Sequence, residues 1–143
     1  RRPHEARRGA KYSGPMNRPR LPRWLNVAGW LGAATWAVLL VVQSGSPSVG
    51  GFLSRILARF PEGADKVGHA SAYAVLGGLL MLATGRVWLA VLLATLFGVS
   101  DEIHQYFVPG RHADVFDVLA DLVGALLGAL VVAFLSRLVP RRP

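Results

Sequence analysis

No cysteine occurs in the 143-residue chain. Disulfides and thiolate metal centres are therefore excluded, while the redox compartment stays open. The chain contains no HExxH, no P-loop and no nucleophile elbow. The short signatures of zinc proteases, nucleotide-binding loops and α/β-hydrolases are thus missing. Acidic residues are few, 8 against 16 Lys and Arg. The apolar stretches are seldom broken by charge, which sets the chain apart from a soluble domain of its length.

What is present is apolar surface: 52% hydrophobic residues and a mean hydropathy of +0.39. These residues collect into four runs, 24–43, 67–84, 87–106 and 115–136. Each is close to the ~20 residues that cross ~30 Å of hydrocarbon at 1.5 Å per residue. The pattern predicts an all-α polytopic membrane protein, a four-transmembrane-helix bundle. Residues 24–138 form the membrane domain, between a basic N-terminal tail over 1–23 and a short tail over 139–143. The N-terminal tail has no apolar period and reads as disordered. Met16 would serve as a natural start, which makes residues 1–15 an upstream extension. The first apolar run is too long for a cleaved signal peptide and has no small-residue cleavage site.

The basic residues are placed by topology. Twelve lie in the two tails and in the tight Gly85-Arg86 link, and four, Arg55, Arg59, Lys66 and Arg111, lie on the opposite side. The positive-inside rule then puts both termini in the cytoplasm of a cell (plasma) membrane protein. Topology accounts for the net charge, and no nucleic-acid partner is expected.

Span one holds no ionisable residue and reads as scaffold. Trp24 marks its interfacial edge, and Gly29, Ala33 and Ala37 form a face for close helix approach. Between spans one and two, Phe52, Leu53, Ile56, Leu57 and Phe60 share one helical face. That spacing predicts a short amphipathic helix in the outer interface or packed on the bundle.

A polar cluster gathers at the ends of spans two, three and four. Lys66, His69, Tyr73 and Gly77 form one stripe on span two, and Asp101, Glu102 and Gln105 close span three. After the Pro109-Gly110-Arg111 turn, Asp114, Asp117, Asp121, Gly124 and Gly128 form one stripe on span four. Asp114 and Asp117 suit capping and dipole complementation; Asp121, two turns in, must find partners inside the bundle. Lys66 in a first turn and Asp101/Glu102 in a last turn each oppose their helix dipole. Pairing of Lys66 with Asp101 or Glu102 across the antiparallel spans two and three would remove both misplacements.

These residues resemble the VanZ-like family of small membrane proteins, named for an accessory protein of glycopeptide resistance. The resemblance runs through Asp65-Lys66-x-x-His69-x-x-x-Tyr73 and Asp101-Glu102-x-x-Gln105. It continues through Pro109-Gly110-Arg111 and Asp117-x-x-x-Asp121-x-x-Gly124-x-x-x-Gly128. Asp121 stands where the family pattern often has Asn. The resemblance implies an integral membrane protein of the cell envelope, one member reducing susceptibility to teicoplanin; no catalytic mechanism comes with it.

Three readings of the cluster stay open. The first is a binding site for an anionic lipid-linked or peptidoglycan-related group. Lys66 and Arg111 would meet phosphate or carboxylate, Tyr73 and Gln105 would orient it, and His69, Asp101, Glu102, Asp117 and Asp121 would complete the site. The second is an enzyme with His69 as general base and Asp101 or Glu102 as acid, or with a divalent metal on His69 and the carboxylates. The third is a structural ion-pair network with no ligand. No cofactor and no metal is predicted on the first reading; the partners are the bilayer and a lipid-linked cell-wall intermediate.

Overall fold

The computed structural model describes residues 22–45, 64–109, 111 and 113–138. The amphipathic helix expected over 52–60, Gly110, His112 and both tails beyond these bounds lie outside the described residues. Four helices follow in order: α1 Arg23–Gly45, α2 Ala64–Thr84, α3 Val87–Tyr106 and α4 Val115–Leu138. All four are long and apolar enough to cross a membrane. No strand occurs among the described residues. Three of the helices outrun the apolar stretches of the sequence. The first turn of α2 is helical although Asp65 and Lys66 interrupt its apolar character.

The chain runs up and down. Gly85, at φ 64°, makes the α2–α3 link, a conformation that suits glycine because it has no Cβ to clash. Its N–H is bonded to the Met81 carbonyl at 2.9 Å, which closes α2. The ends of α1 and α3 therefore meet the beginnings of α2 and α4 at one end of the bundle. α2 packs against each of the other three helices, whereas α1 and α4 do not touch among the described residues.

The packing puts small residues inside and large ones outside. Ala90, Ala94, Ala125 and Ala129 are fully buried, while Trp30, Leu31, Trp88, Leu96, Leu127 and Phe134 are exposed. Lipid tails are as apolar as leucine, so bulky side chains gain little by turning inward and small ones allow close helix contact. The parallel pair α2–α4 is the tightest. A Cβ on Gly77 would collide with the Ala125 carbonyl, one on Gly124 with that of Ala70, and one on Gly128 with that of Ala74. α1 is fixed to α2 by polar bonds as well. Asn26 Nδ2 donates to the Leu82 carbonyl at 2.8 Å, and Trp36 Nε1 donates to that of Ala72 at 2.9 Å. Gly29 completes this contact, since a Cβ there would lie 2.5 Å from the Ala83 nitrogen.

Candidate functional site

The tight α2–α4 contact brings their two polar stripes face to face. Lys66 Nζ lies 2.5 Å from Asp114 Oδ2 and 2.5 Å from Asp117 Oδ1, with Asp65 Oδ2 at 3.4 Å. The expected pairing of Lys66 with Asp101 or Glu102 is therefore corrected: its partners come from α4 and the α4 approach, not from α3. The physical reason is the depth of the α2–α4 contact. Backbones that touch at Gly124 and Gly128 leave Lys66 directly above the first turn of α4.

One turn further in, His69 Nδ1 is 3.1 Å from Asp121 Oδ1, and His69 Nε2 is 3.6 Å from Asp117 Oδ2. Asp121 is 1% exposed, so its carboxylate lies inside the bundle as the sequence requires of an acid two turns from the helix start. The nearest atoms to a Cβ on Gly98 would be Asp121 Oδ2 at 2.8 Å and Tyr73 Cε1 at 3.2 Å. A glycine in α3 thus makes the space that the Asp121 carboxylate and the Tyr73 ring share. Tyr73 is 2% exposed, and its hydroxyl has no hydrogen-bond partner among the described residues.

Asp101 and Glu102 are buried too, but they meet neutral donors. Gln105 Nε2 donates to Asp101 Oδ2 at 3.1 Å and to Glu102 Oε1 at 3.3 Å. Ser44 Oγ donates to Asp101 Oδ1 at 2.5 Å. Glu102 Oε2 accepts the Asp114 N–H at 2.8 Å and so fixes the approach to α4. Asp114 then caps α4 by accepting the Phe116 N–H at 2.9 Å. The bond from Lys66, followed by that from the Phe116 N–H, holds the Asp114 carboxyl below its ordinary value. A depressed carboxyl contributes stability above its unfolded value and loses it as pH falls through the folded one. This contact is therefore fully formed at neutral pH and weakens only in acid.

Ser44 is the one member of the cluster that the sequence did not single out. It lies one residue before the end of α1, the helix whose sequence reads as scaffold. Its only sequence signal is a hydroxyl at the right end of the bundle, which ordinary capping would also explain. Arg111 sits in the loop before α4, half-buried, with its N–H bonded to the Val108 carbonyl at 3.1 Å. Its guanidinium makes no ion pair with Asp114 or Asp117, both of which face Lys66, and its buried Nε has no partner among the described residues.

The cluster thus joins Lys66, His69, Asp114, Asp117 and Asp121 in one linked group, with Glu102 bound to it through the Asp114 N–H. Asp101, Gln105 and Ser44 form the adjoining group on α3 and α1. Tyr73 lies beneath, and Arg111 lies beside them in the loop.

Four membrane-length helices with a buried, charged cluster at one end define an integral membrane protein built around a polar site. The chain belongs to the VanZ-like family: the family model described as VanZ/LLP1 matches residues 24–136, which take in all four helices. No curated protein and no solved structure matches the chain.

Proposed function

We propose that this end of the bundle binds an anionic component of the cell envelope, the phosphate or carboxylate of a lipid-linked or peptidoglycan-related group, with Arg111 as the principal contact. The observation that carries this reading is the state of Arg111. Its natural intramolecular partners, Asp114 and Asp117, are both committed to Lys66, and its buried Nε is left without an acceptor among the described residues. A planar fork of donors that meets no carboxylate among those residues suits bidentate recognition of phosphate or carboxylate, which lysine cannot reproduce. In this reading Lys66, which is bonded to Asp114 and Asp117 with Asp65 at 3.4 Å, orders the approach on which Arg111 sits.

In this reading the protein lies in the plasma membrane with both termini cytoplasmic and the cluster on the outer side, as the split of basic residues implies. A cysteine placed at Ser48 should react with an impermeant reagent added outside. A Ser48→Cys variant that stays shielded until the membrane is opened sinks the assignment.

By the same reading the protein affects glycopeptide susceptibility, teicoplanin included, by engaging the envelope component that such antibiotics meet. At matched membrane levels, Arg111→Lys should shift teicoplanin susceptibility nearly as far as Arg111→Ala, because only the guanidinium forms the fork. A lysine variant that behaves as wild type removes the support for the fork. The acid/base alternative has one observation in its favour, the Asp121–His69 bond that would hold the ring in a single tautomer. It differs in outcome: His69→Ala would abolish turnover while leaving the anion bound.

A further inference from the structure

Among the described residues, buried carboxylates outnumber the cations that face them. Lys66 is bonded to Asp114 and Asp117, which leaves Asp121 and Glu102 to His69 and to neutral donors. His69 presents a further mismatch. When Nδ1–H donates to Asp121, Nε2 is left as an acceptor 3.6 Å from Asp117 Oδ2. Two acceptors this close in a half-buried site repel unless a proton or a metal cation lies between them. Glu102 completes a triangle: His69, Glu102 and Asp117 each offer one ligand atom, all within 4.8 Å of one another.

We propose that His69 Nε2, Asp117 Oδ2 and a Glu102 carboxylate oxygen bind one divalent transition-metal ion of the Zn2+ or Mn2+ type. The 3.6 Å between His69 Nε2 and Asp117 Oδ2 is close to the edge of about 3.4 Å that a tetrahedral ion with bonds of about 2.1 Å requires. One imidazole with two carboxylates selects this class of ion over Ca2+, which prefers an all-oxygen shell. Asp121 plays the supporting part that ligating histidines commonly have: its carboxylate takes the second ring N–H, fixes the tautomer and turns Nε2 toward the ion.

A second, independent observation points to a ligand here. Tyr73 is 2% exposed and its hydroxyl has no partner among the described residues. A long side chain on a helix leans toward the helix N-terminus, so the ring reaches from Tyr73 back toward the turn that carries His69. The ring lies beside the Asp121 carboxylate that holds His69, both lining the space left by Gly98. A buried hydroxyl there without a bond among the described residues is accounted for by a water held on the ion. Three protein ligands leave such a position open. The inference does not depend on Arg111 and stands or falls apart from the anion reading.

The test uses the full chain, free of any histidine tag, in lipid nanodiscs and stripped with EDTA. Zn2+ and Mn2+ are each titrated, and bound metal is counted by elemental analysis. The expected result is one ion per chain. Glu102→Gln and Asp117→Asn should each weaken binding at least about tenfold, and Asp121→Asn roughly 10–100-fold, as changes in supporting ligand contacts do. Asp65→Asn removes the same charge from the rim and should leave affinity unchanged. Equal weakening by Asp65→Asn would mean a diffuse negative field rather than a site, and overturns the proposal. So does a wild-type chain that keeps no ion. Where the carboxylate variants do not fold, Co2+ loaded into the wild type decides: visible d–d bands of a low-coordinate nitrogen/oxygen site support the proposal, and the spectrum of aqueous Co2+ overturns it.

Discussion

An alanine at Gly128 is expected to leave little folded protein. The new Cβ would press on the backbone carbonyl of Ala74, with the Ala74 carbonyl carbon at 2.6 Å, and a helix backbone cannot move aside without moving the helix. Overpacking against side chains costs ~1–3 kcal/mol; contact with a rigid carbonyl should exceed that range. An alanine at Gly32 provides the control. Its Cβ would meet only Leu79 Cδ2, at 2.9 Å, the flexible end of a side chain. Monodisperse protein recovered after mild extraction, read by fluorescence size exclusion across a temperature series, separates the two. Gly32→Ala should stay near wild type and Gly128→Ala should fall far below it. Equal behaviour would mean that the α2–α4 contact is not the axis of the bundle.

The second large effect is expected at Lys66. Removing one partner of a buried ion pair costs roughly 3–5 kcal/mol, because the remaining charge is left without compensation. The Lys66 side chain is 31% exposed, so Lys66→Ala should lie at the low end, about 3 kcal/mol. A double-mutant cycle identifies the partner. Lys66→Ala with Asp117→Asn should couple by ~0.5–3 kcal/mol, whereas Lys66→Ala with Asp101→Asn should be additive within ~0.5 kcal/mol. Denaturant unfolding in micelles measures both. Stronger coupling to Asp101 than to Asp117 would restore the α2–α3 pairing and contradict the geometry.

The fate of Lys66 shows where the sequence was legible and where it was not. The helix existence and type follow from apolar length against the thickness of a bilayer, so all four spans were readable, with ends displaced by one to three residues where polar turns continue the helix. Membership of the cluster was readable too, because a charge in such a helix must have a partner. Who pairs with whom was not. A helix dipole acts within one helix, and the Gly85 link specifies only that α2 and α3 run antiparallel. Which helix contacts α2 most closely is decided by surface shape. One sequence signal for this existed: Gly77 lies on the Lys66–His69–Tyr73 stripe, and Gly124 and Gly128 lie on the Asp114–Asp117–Asp121 stripe. Two stripes that both end in small residues fit together, and their polar halves must then meet. Ser44 carries no comparable signal, since its bond to Asp101 joins residues 57 positions apart, and the one charged residue of its helix, Arg23, lies at the far end.

The same geometry connects fold to function. Gly77, Gly124 and Gly128 bring α2 and α4 into backbone contact, which places Lys66 over Asp114 and Asp117. Lys66 in turn occupies the acids that Arg111 would otherwise meet. Close packing deep in the bundle therefore leaves the Arg111 Nε, in the loop that precedes α4, without an acceptor among the described residues.

Native mass spectrometry of the chain, extracted gently from cell membranes, tests that claim most directly. Wild type and Arg111→Lys are compared at equal expression. The account predicts that wild type carries an anionic lipid-linked species in a defined stoichiometry and that Arg111→Lys has lost most of it while remaining folded. Equal retention of the same species by both, or a wild type that carries none, would contradict the anion fork and leave the cluster as a structural network.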